Sequence, residues 1–314
     1  MDDGVALAID FGGTKVEAAL VDRAGTLLPG SRHRAATGAS STSAQVEEAV
    51  ATAVRGALSA GGERRILGAG IGAAGPLSPT PGAVSPLNLP AWRDYPLREL
   101  VAGLLPAAGD VPVVLRMDGE AIALAEHWIG AGRDAACLLG MVVSTGIGGG
   151  LVIGGRTVPG PSGNAGHVGH VAVGDPALAG VRCACGGTGC VEAVASGPRT
   201  VAWAREQGWT GATGEELGVG YTAGDPIAVA AVRRSAHAVG GALASATALL
   251  DLDVIAIGGG FASVAPDYLE LVREAFAGRE FPFVRKVRIV RSGLSGEGPL
   301  IGAGALIHRA ELLG

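Results

Sequence analysis

Two stretches of this 314-residue chain repeat one pattern. Residues 5–30, VALAIDFGGTKVEAALVDRAGTLLPG, read as strand, glycine turn, strand, then a tight turn at Arg23-Ala24-Gly25. Residues 137–160, CLLGMVVSTGIGGGLVIGGRTVPG, read the same way. A recurrence one lobe downstream points to a duplicated architecture, and the length suits two lobes. The rest of the chain alternates strands with helices. ILGAGIGAAGP, VPVVLRMDGE and VIAIGGGFA read as strands running into loops. Helical patterns cover residues 44–60, PLRELVAGLL, AIALAEHWIGAG, 226–250 and 300–313. The fold class is therefore α/β.

Both repeated turns suit phosphate. In IDFGGTK, Gly12 and Gly13 admit close backbone approach, Thr14 offers a hydroxyl, and Asp10 can organise Mg²⁺ through water. In STGIGGG, Thr145 and Gly146 do the same from the second copy. A pair of such turns suggests a nucleotide held by both lobes. There is no G-x-x-x-x-G-K-[ST], and no G-x-G-x-x-G opens a helix, so P-loop and Rossmann enzymes are excluded.

Three of the four cysteines lie within CACGGTGCVE, residues 183–192. Cys183, Cys185 and Cys190 form a Cys-x-Cys-x4-Cys run with glycines between the thiols, compact enough to wrap one metal. The fourth ligand is sought upstream in GHVGH, at His167 or His170. Cys137 lies in an apolar strand pattern and reads as a core residue.

Composition narrows the class. Hydrophobic residues make up 48% and charged residues 17%, which gives a core and excludes disorder. A net charge of −5 without a long basic run excludes nucleic acid as a partner. The opening MDDGVALAIDF has acids where a signal peptide carries positive charge. The uncharged run 137–155 is long enough to span a bilayer, but its glycines fit two strands around a turn better. The expectation is a cytoplasmic protein without a membrane partner.

IDFGGTK, MDG at 117–119, STGIGGG, GHVGH, CACGGTGCVEAVASG and IAIGGG occur in the order found in the ROK family of repressors, open reading frames and sugar kinases, and the chain resembles that family over its whole length. The resemblance implies an actin-like (ribonuclease H-like) duplicated ATPase fold with two lobes around a central cleft. It places residues 1–118 in a small N-terminal lobe, completed by the helix at 300–314, and residues 119–299 in a large lobe. It implies ATP as donor, Mg²⁺, a structural zinc and a homodimer or higher homo-oligomer. By position, Asp10 resembles the Mg-phosphate aspartate, Gly12, Gly13 and Thr14 the first phosphate turn, Thr145 and Gly146 the second, and Gly258 and Gly259 the adenosine turn. Asp118 resembles the catalytic base, which accepts the proton of a sugar hydroxyl as it attacks in line. His170, Cys183, Cys185 and Cys190 resemble the zinc ligands. Glu192, Gly75, Asn88 and the two histidines resemble the sugar contacts.

Two departures bear on the substrate. The family's Asn-Asp-Ala-Asn/Gln is here Met117-Asp118-Gly119-Glu120, and its Glu-x-x-His is His167-Val168-Gly169-His170. Bacterial N-acetylmannosamine kinases carry a similar Gly-His-x-Gly-His, whereas glucokinases keep the Glu. The expected activity is phosphorylation of a primary hydroxyl on a hexose or an amino or N-acyl hexose. Two alternatives are a kinase for an amino sugar or cyclitol in a biosynthetic pathway and a non-catalytic sugar-binding regulator. A family repressor carries a helix-turn-helix ahead of the first phosphate turn, and Asp10 stands too early for one.

Overall fold

The computed structural model describes residues 4–106, 111–175, 177–278, 281–294 and 296–314. In chain order the first copy runs β1 (Val5–Phe11), β2 (Lys15–Val21), β3 (His33–Ala36), α1 (Ser43–Ser59), β4 (Ile66–Ala73), α2 (Leu97–Leu104), β5 (Val113–Met117) and α3 (Asp118–Trp128). The second runs β6 (Cys137–Val143), β7 (Ile147–Ile153), β8 (Arg156–Thr157), then α4 (Val191–Ala195), α5 (Gly197–Glu206), α6 (Gly214–Thr222) and α7 (Pro226–Leu250). It closes with β9 (Val254–Gly258), α8 (Tyr268–Phe276), β10 (Arg288–Arg291) and α9 (Gly298–His308).

The duplication holds strand by strand. One sheet has the order β3-β2-β1-β4-β5 and the other β8-β7-β6-β9-β10. In the first, β1 pairs antiparallel with β2 and parallel with β4, which pairs parallel with β5. In the second, β6 and β9, and β9 and β10, are parallel. The uncharged run 137–155 is two strands around a turn, as its glycines predict. Among the described residues, no helix is long and apolar enough to cross a membrane.

The contacts divide the chain into two compact units. One runs up to Arg133 and includes Gly150–Gly166 and Leu294–Gly314; the other comprises Asp134–Gly149 and His167–Gly293. In the first unit α9 packs on β4, β1 and α3. Its core is built from the alternate apolar residues of β1 (Leu7, Ile9, Phe11) with Val50 and Val54 of α1 and Ile71 of β4. In the second, α7 packs against α8, α4, α5 and α6. Its start is dictated locally: the Asp225 side chain accepts from the Ile227 and Ala228 amides at 2.9 Å, with Pro226 at the first helical position. The helix ends at Asp251, which adopts a left-handed φ of 53°.

Trp92 fixes the loop after β4. It is fully buried, stacks between Phe11 (centroids 4.9 Å apart) and Tyr95 (3.8 Å), and donates Nε1 to Ser43 Oγ at 3.1 Å. One indole thus ties the 75–95 loop to the end of β1 and the start of α1. Replacing it with alanine removes that packing and leaves a void, at a cost of about 3–5 kcal/mol. Trp92→Ala is expected to lower the denaturant midpoint accordingly; a midpoint within error of wild type would contradict the role given to the indole.

Candidate active site

In the first unit, the C-terminal ends of the parallel strands β1, β4 and β5 and the loops beyond them gather seven of the anticipated residues. This is the end at which parallel sheets present ligand-binding groups. Asp10 is the penultimate residue of β1, and in the sheet register both Asp10 and Arg116 of β5 pair with Gly72 of the intervening β4. Asp118 follows as the first residue of α3, where its Oδ1 accepts from the Gly119 amide at 2.7 Å. The Gly12–Thr14 turn is closed by the Gly12 amide donating to the Lys15 carbonyl at 2.9 Å. It is braced by Thr37, whose hydroxyl donates to the Gly12 carbonyl at 2.9 Å. Thr14 is exposed, free to meet a ligand. Gly75 follows β4, and Asn88 lies over the phosphate turn, so near that a Cβ on Gly13 would come 2.8 Å from its own Cβ.

Electrostatics mark Asp10. Burial pushes its carboxyl up to about 7, Asp118 and Glu17 push the same way, and Lys15 and Arg32 pull it back. Glu17, opposite Asp10 in the β1–β2 register, is itself committed: Lys15 Nζ donates to it at 2.7 Å and Arg32 Nη2 at 3.2 Å. A buried carboxylate beside a second one is costly to ionise, and a divalent cation reverses that cost. Asp10 therefore fits a place beside Mg²⁺. Sequence reading missed how Glu120 is used. It is buried, accepts from Thr157 Oγ1 at 2.6 Å and pairs with Arg116 at 3.4 Å. Thr157 lies 37 residues away in sequence, so no local pattern announces the contact. Met117 is buried at the end of β5.

In the second unit, the turn between β6 and β7 presents Thr145, exposed, and Gly146. The Ser144 amide donates to the Gly146 carbonyl at 2.9 Å, and the Gly197 amide donates to Ser144's at 2.8 Å. Gly258 ends β9 and Gly259 follows it. Gly259 has φ +97°, and a Cβ there would come 2.4 Å from the Val143 carbonyl oxygen, so only glycine serves. Beside these turns opens a cavity of about 870 Å³, lined by Thr145, Thr213, Glu215, Val219, Gly260 and Phe261 among others. Its size suits a nucleotide. The α6 contribution was legible but unread. Thr213 and Glu216 form a capping box, with Glu216 N to Thr213 Oγ1 at 3.1 Å and Thr213 N to Glu216 Oε2 at 2.9 Å.

Four metal-binding side chains converge in the same unit. His170 closes a short 3₁₀ turn, Val168–His170, and an isolated bridge pairs Ala172 with Cys190. A second bridge, Arg182 to Thr188, folds the cysteine loop back on itself. The ligand atoms of His170, Cys183, Cys185 and Cys190 all lie within 4.8 Å of one another. His170 Nδ1 is 3.6 Å from Cys183 Sγ, and Cys185 Sγ is 3.7 Å from Cys190 Sγ. A tetrahedron of ~2.3 Å Zn–S bonds has sulfur–sulfur edges of about 3.8 Å, so the spacing fits zinc. Burial, with the neighbouring thiols, pushes the Cys190 thiol up to about 12, a situation that a bound cation relieves.

Of the two candidate histidines, His170 reaches the sulfurs. His167 stands beside it, ring centroids 5.6 Å apart. Burial and the His170 ring lower its pKa, and Glu192 opposes that shift. The glycine between them is needed: a Cβ on Gly169 would come 2.0 Å from the Ile147 carbonyl oxygen, so the histidine turn lies on the first residue of β7. Glu192 meets the same residue, its Oε2 accepting from the Ile147 amide at 2.9 Å. Metal loop, histidine pair and phosphate turn thus share one point of attachment.

Residues 6–310 match the ROK family. The chain belongs to it. The N-acetylmannosamine kinase of Escherichia coli O157:H7 is 35% identical over 308 residues, 98% of this chain and 99% of that one. The ROK hexokinase of Thermus thermophilus superposes with a TM-score of 0.80 at 34% identity, covering 98% and 99% of the two chains. The glucokinase of Streptomyces griseus, solved in complex with glucose and AMPPNP, gives 0.81 at 29% identity, covering 98% and 100%. The fold is the actin-like duplicated α/β ATPase fold of ROK sugar kinases.

Two tests follow from the geometry. Metal analysis of the purified protein is expected to find one zinc per chain, and Cys190→Ser to lose it; a stable, active, metal-free preparation would rule the zinc loop out. For Asp10, the folded pKa of about 7 stands above the unfolded value near ~3.9, so the stability this group contributes is complete at low pH and is lost as pH rises from about 4 to 7. Asp10→Asn is therefore expected to melt higher than wild type at pH 8 without Mg²⁺, and no differently near pH 4. Equal melting at pH 8 would show that Asp10 ionises without penalty.

Proposed function

We propose that this sugar kinase of the ROK family transfers the γ-phosphoryl group of ATP to the primary hydroxyl of N-acetylmannosamine. The observation that carries the choice of acceptor is His167. It occupies the position at which glucokinases keep a glutamate, and its ring lies 5.6 Å from that of His170, centroid to centroid. A glutamate there only accepts hydrogen bonds, whereas a neutral imidazole also donates one, and an N-acetyl carbonyl needs a donor. The full-length likeness to N-acetylmannosamine kinases supports the same reading.

Each side chain then has a task. Asp118 accepts the proton of the sugar hydroxyl as its oxygen attacks the γ-phosphorus and the bond to the ADP oxygen breaks. Gly12, Gly13 and Thr14, with Thr145 and Gly146, hold the phosphates through backbone amides and hydroxyls. Gly258, Gly259 and the cavity beside them take the adenosine. Asp10 would hold Mg²⁺, and the ion would neutralise charge on the phosphates. Glu192 accepts from a sugar hydroxyl, and Asn88, Gly75, His167 and His170 complete the sugar contacts. His170, Cys183, Cys185 and Cys190 hold a zinc that is structural, since protein fills all four positions. The protein is, on this reading, a cytoplasmic homodimer.

Steady-state kinetics on glucose, mannose, N-acetylglucosamine, N-acetylmannosamine and an amino hexose are expected to rank N-acetylmannosamine first in kcat/KM, and His167→Glu to move the ranking towards glucose. If glucose leads in the wild type and the variant leaves the ranking alone, the acceptor is misassigned. Asp118→Asn is expected to cut kcat by about 10²–10⁴ with sugar binding retained. Near wild-type turnover would remove Asp118 as the base.

A further inference from the structure

The short helix α4 joins the zinc loop to the second phosphate turn, and it is gripped from behind by α7. Its N-cap is the zinc ligand Cys190, its first turn carries Glu192, and the Gly197 amide just beyond it donates to the Ser144 carbonyl at 2.8 Å. A helix of five residues leaves its last carbonyls without intrahelical partners. Arg234 of α7 donates Nη1 to the Val194 carbonyl at 2.8 Å, and Ser235 donates Oγ to the Ala195 carbonyl at 2.9 Å. Ser235 is held in turn by the buried Tyr268 hydroxyl at 2.8 Å.

Arg234 is built in, not draped over the surface. Its guanidinium lies 5.1 Å from the centroid of the Trp203 ring, and the side chain is half-buried. Burial lowers its pKa while Glu206 and Asp175 oppose the shift, and an arginine so placed stays charged. A charged donor on helix-terminal carbonyls makes one of the stronger hydrogen bonds available. Glu192 stands two residues before Val194 on a single turn of helix, so any tilt of α4 moves its carboxylate relative to the Ile147 amide.

We infer that Arg234 is a positioning residue for the sugar site: by holding the C-terminal end of α4 it keeps the Glu192 carboxylate in register with the β6–β7 turn. This rests on Glu192 being a sugar contact, as proposed above. The test is a double-mutant cycle on the zinc-loaded enzyme with the sugar it turns over best, using Glu192→Gln, Arg234→Met and the pair. Arg234→Met is expected to raise the sugar KM about tenfold, with zinc kept and the ATP KM moved much less. Arg234→Lys, which keeps charge but loses the planar fork, should recover part of the loss. The pair should lose little more than Glu192→Gln alone, because one residue acts through the other. Unchanged sugar KM in Arg234→Met beside a raised KM in Glu192→Gln would overturn this inference and leave the site reading intact. Full additivity would do the same. An unaffected sugar KM in Glu192→Gln would overturn the site reading and this inference with it. If Arg234→Met fails to fold, Arg234→Lys and Ser235→Ala carry the same cycle.

Discussion

The hydrogen bond from the Ile147 amide to Glu192 Oε2 is the contact on which the second unit's chemistry turns. Ile147 is the first residue of β7, directly after the Thr145–Gly146 turn, and the histidine turn rests on its carbonyl. One residue therefore registers the Thr145–Gly146 turn against Glu192 and the His167–His170 turn. On the proposed reading, a zinc held by His170, Cys183, Cys185 and Cys190 would stiffen that arrangement: the loop is rich in glycine and has little apolar surface to bury, and four bonds to a cation would stand in for the core it lacks. Zinc would then act on phosphoryl transfer only by shaping the site.

The first unit solves a different problem. Asp10 and Asp118 are brought to the same end of one sheet, on either side of β4, where Asp118 adds to the cost that burial puts on the charge of Asp10. Glu17, the third acid nearby, is paired with Lys15 and Arg32, which leaves Asp10 as the carboxylate whose ionisation is costly. On the proposed reading, binding of Mg²⁺ and nucleotide would offset that cost. Such strain is common where charge is arranged for catalysis.

Much of this was legible in the sequence because the signals were local. The strand–turn–strand repeat, α7 with its Asp225-Pro226 start and the spacing of Cys183, Cys185 and Cys190 are each written within a few residues. The roles proposed for Asp118 and Glu192 come from the ROK pattern, since no local signal carries them. Other features escaped. The closing helix, expected over 300–313, stops at His308 and gives way to a separate 3₁₀ turn, Ala310–Leu312. Helices α4, α5 and α6 are short, and their apolar residues face several partners, so periodicity is faint. The Glu120–Thr157 contact and the Arg234 grip on α4 join residues roughly forty apart, and only the folded chain brings them together. Spacing left His167 and His170 both open as the fourth member of the cysteine cluster; the ROK resemblance gave His170, and the geometry agrees, with its Nδ1 3.6 Å from Cys183 Sγ.

The most direct measurement is a competition. The enzyme is given limiting ATP with Mg²⁺ and equal concentrations of N-acetylmannosamine and glucose, and the products are read by phosphorus and proton NMR. The account predicts that phosphate appears on the primary hydroxyl of N-acetylmannosamine in clear excess. Phosphate mainly on glucose would contradict the role given to His167. ADP formed without any sugar phosphate would contradict the account as a whole.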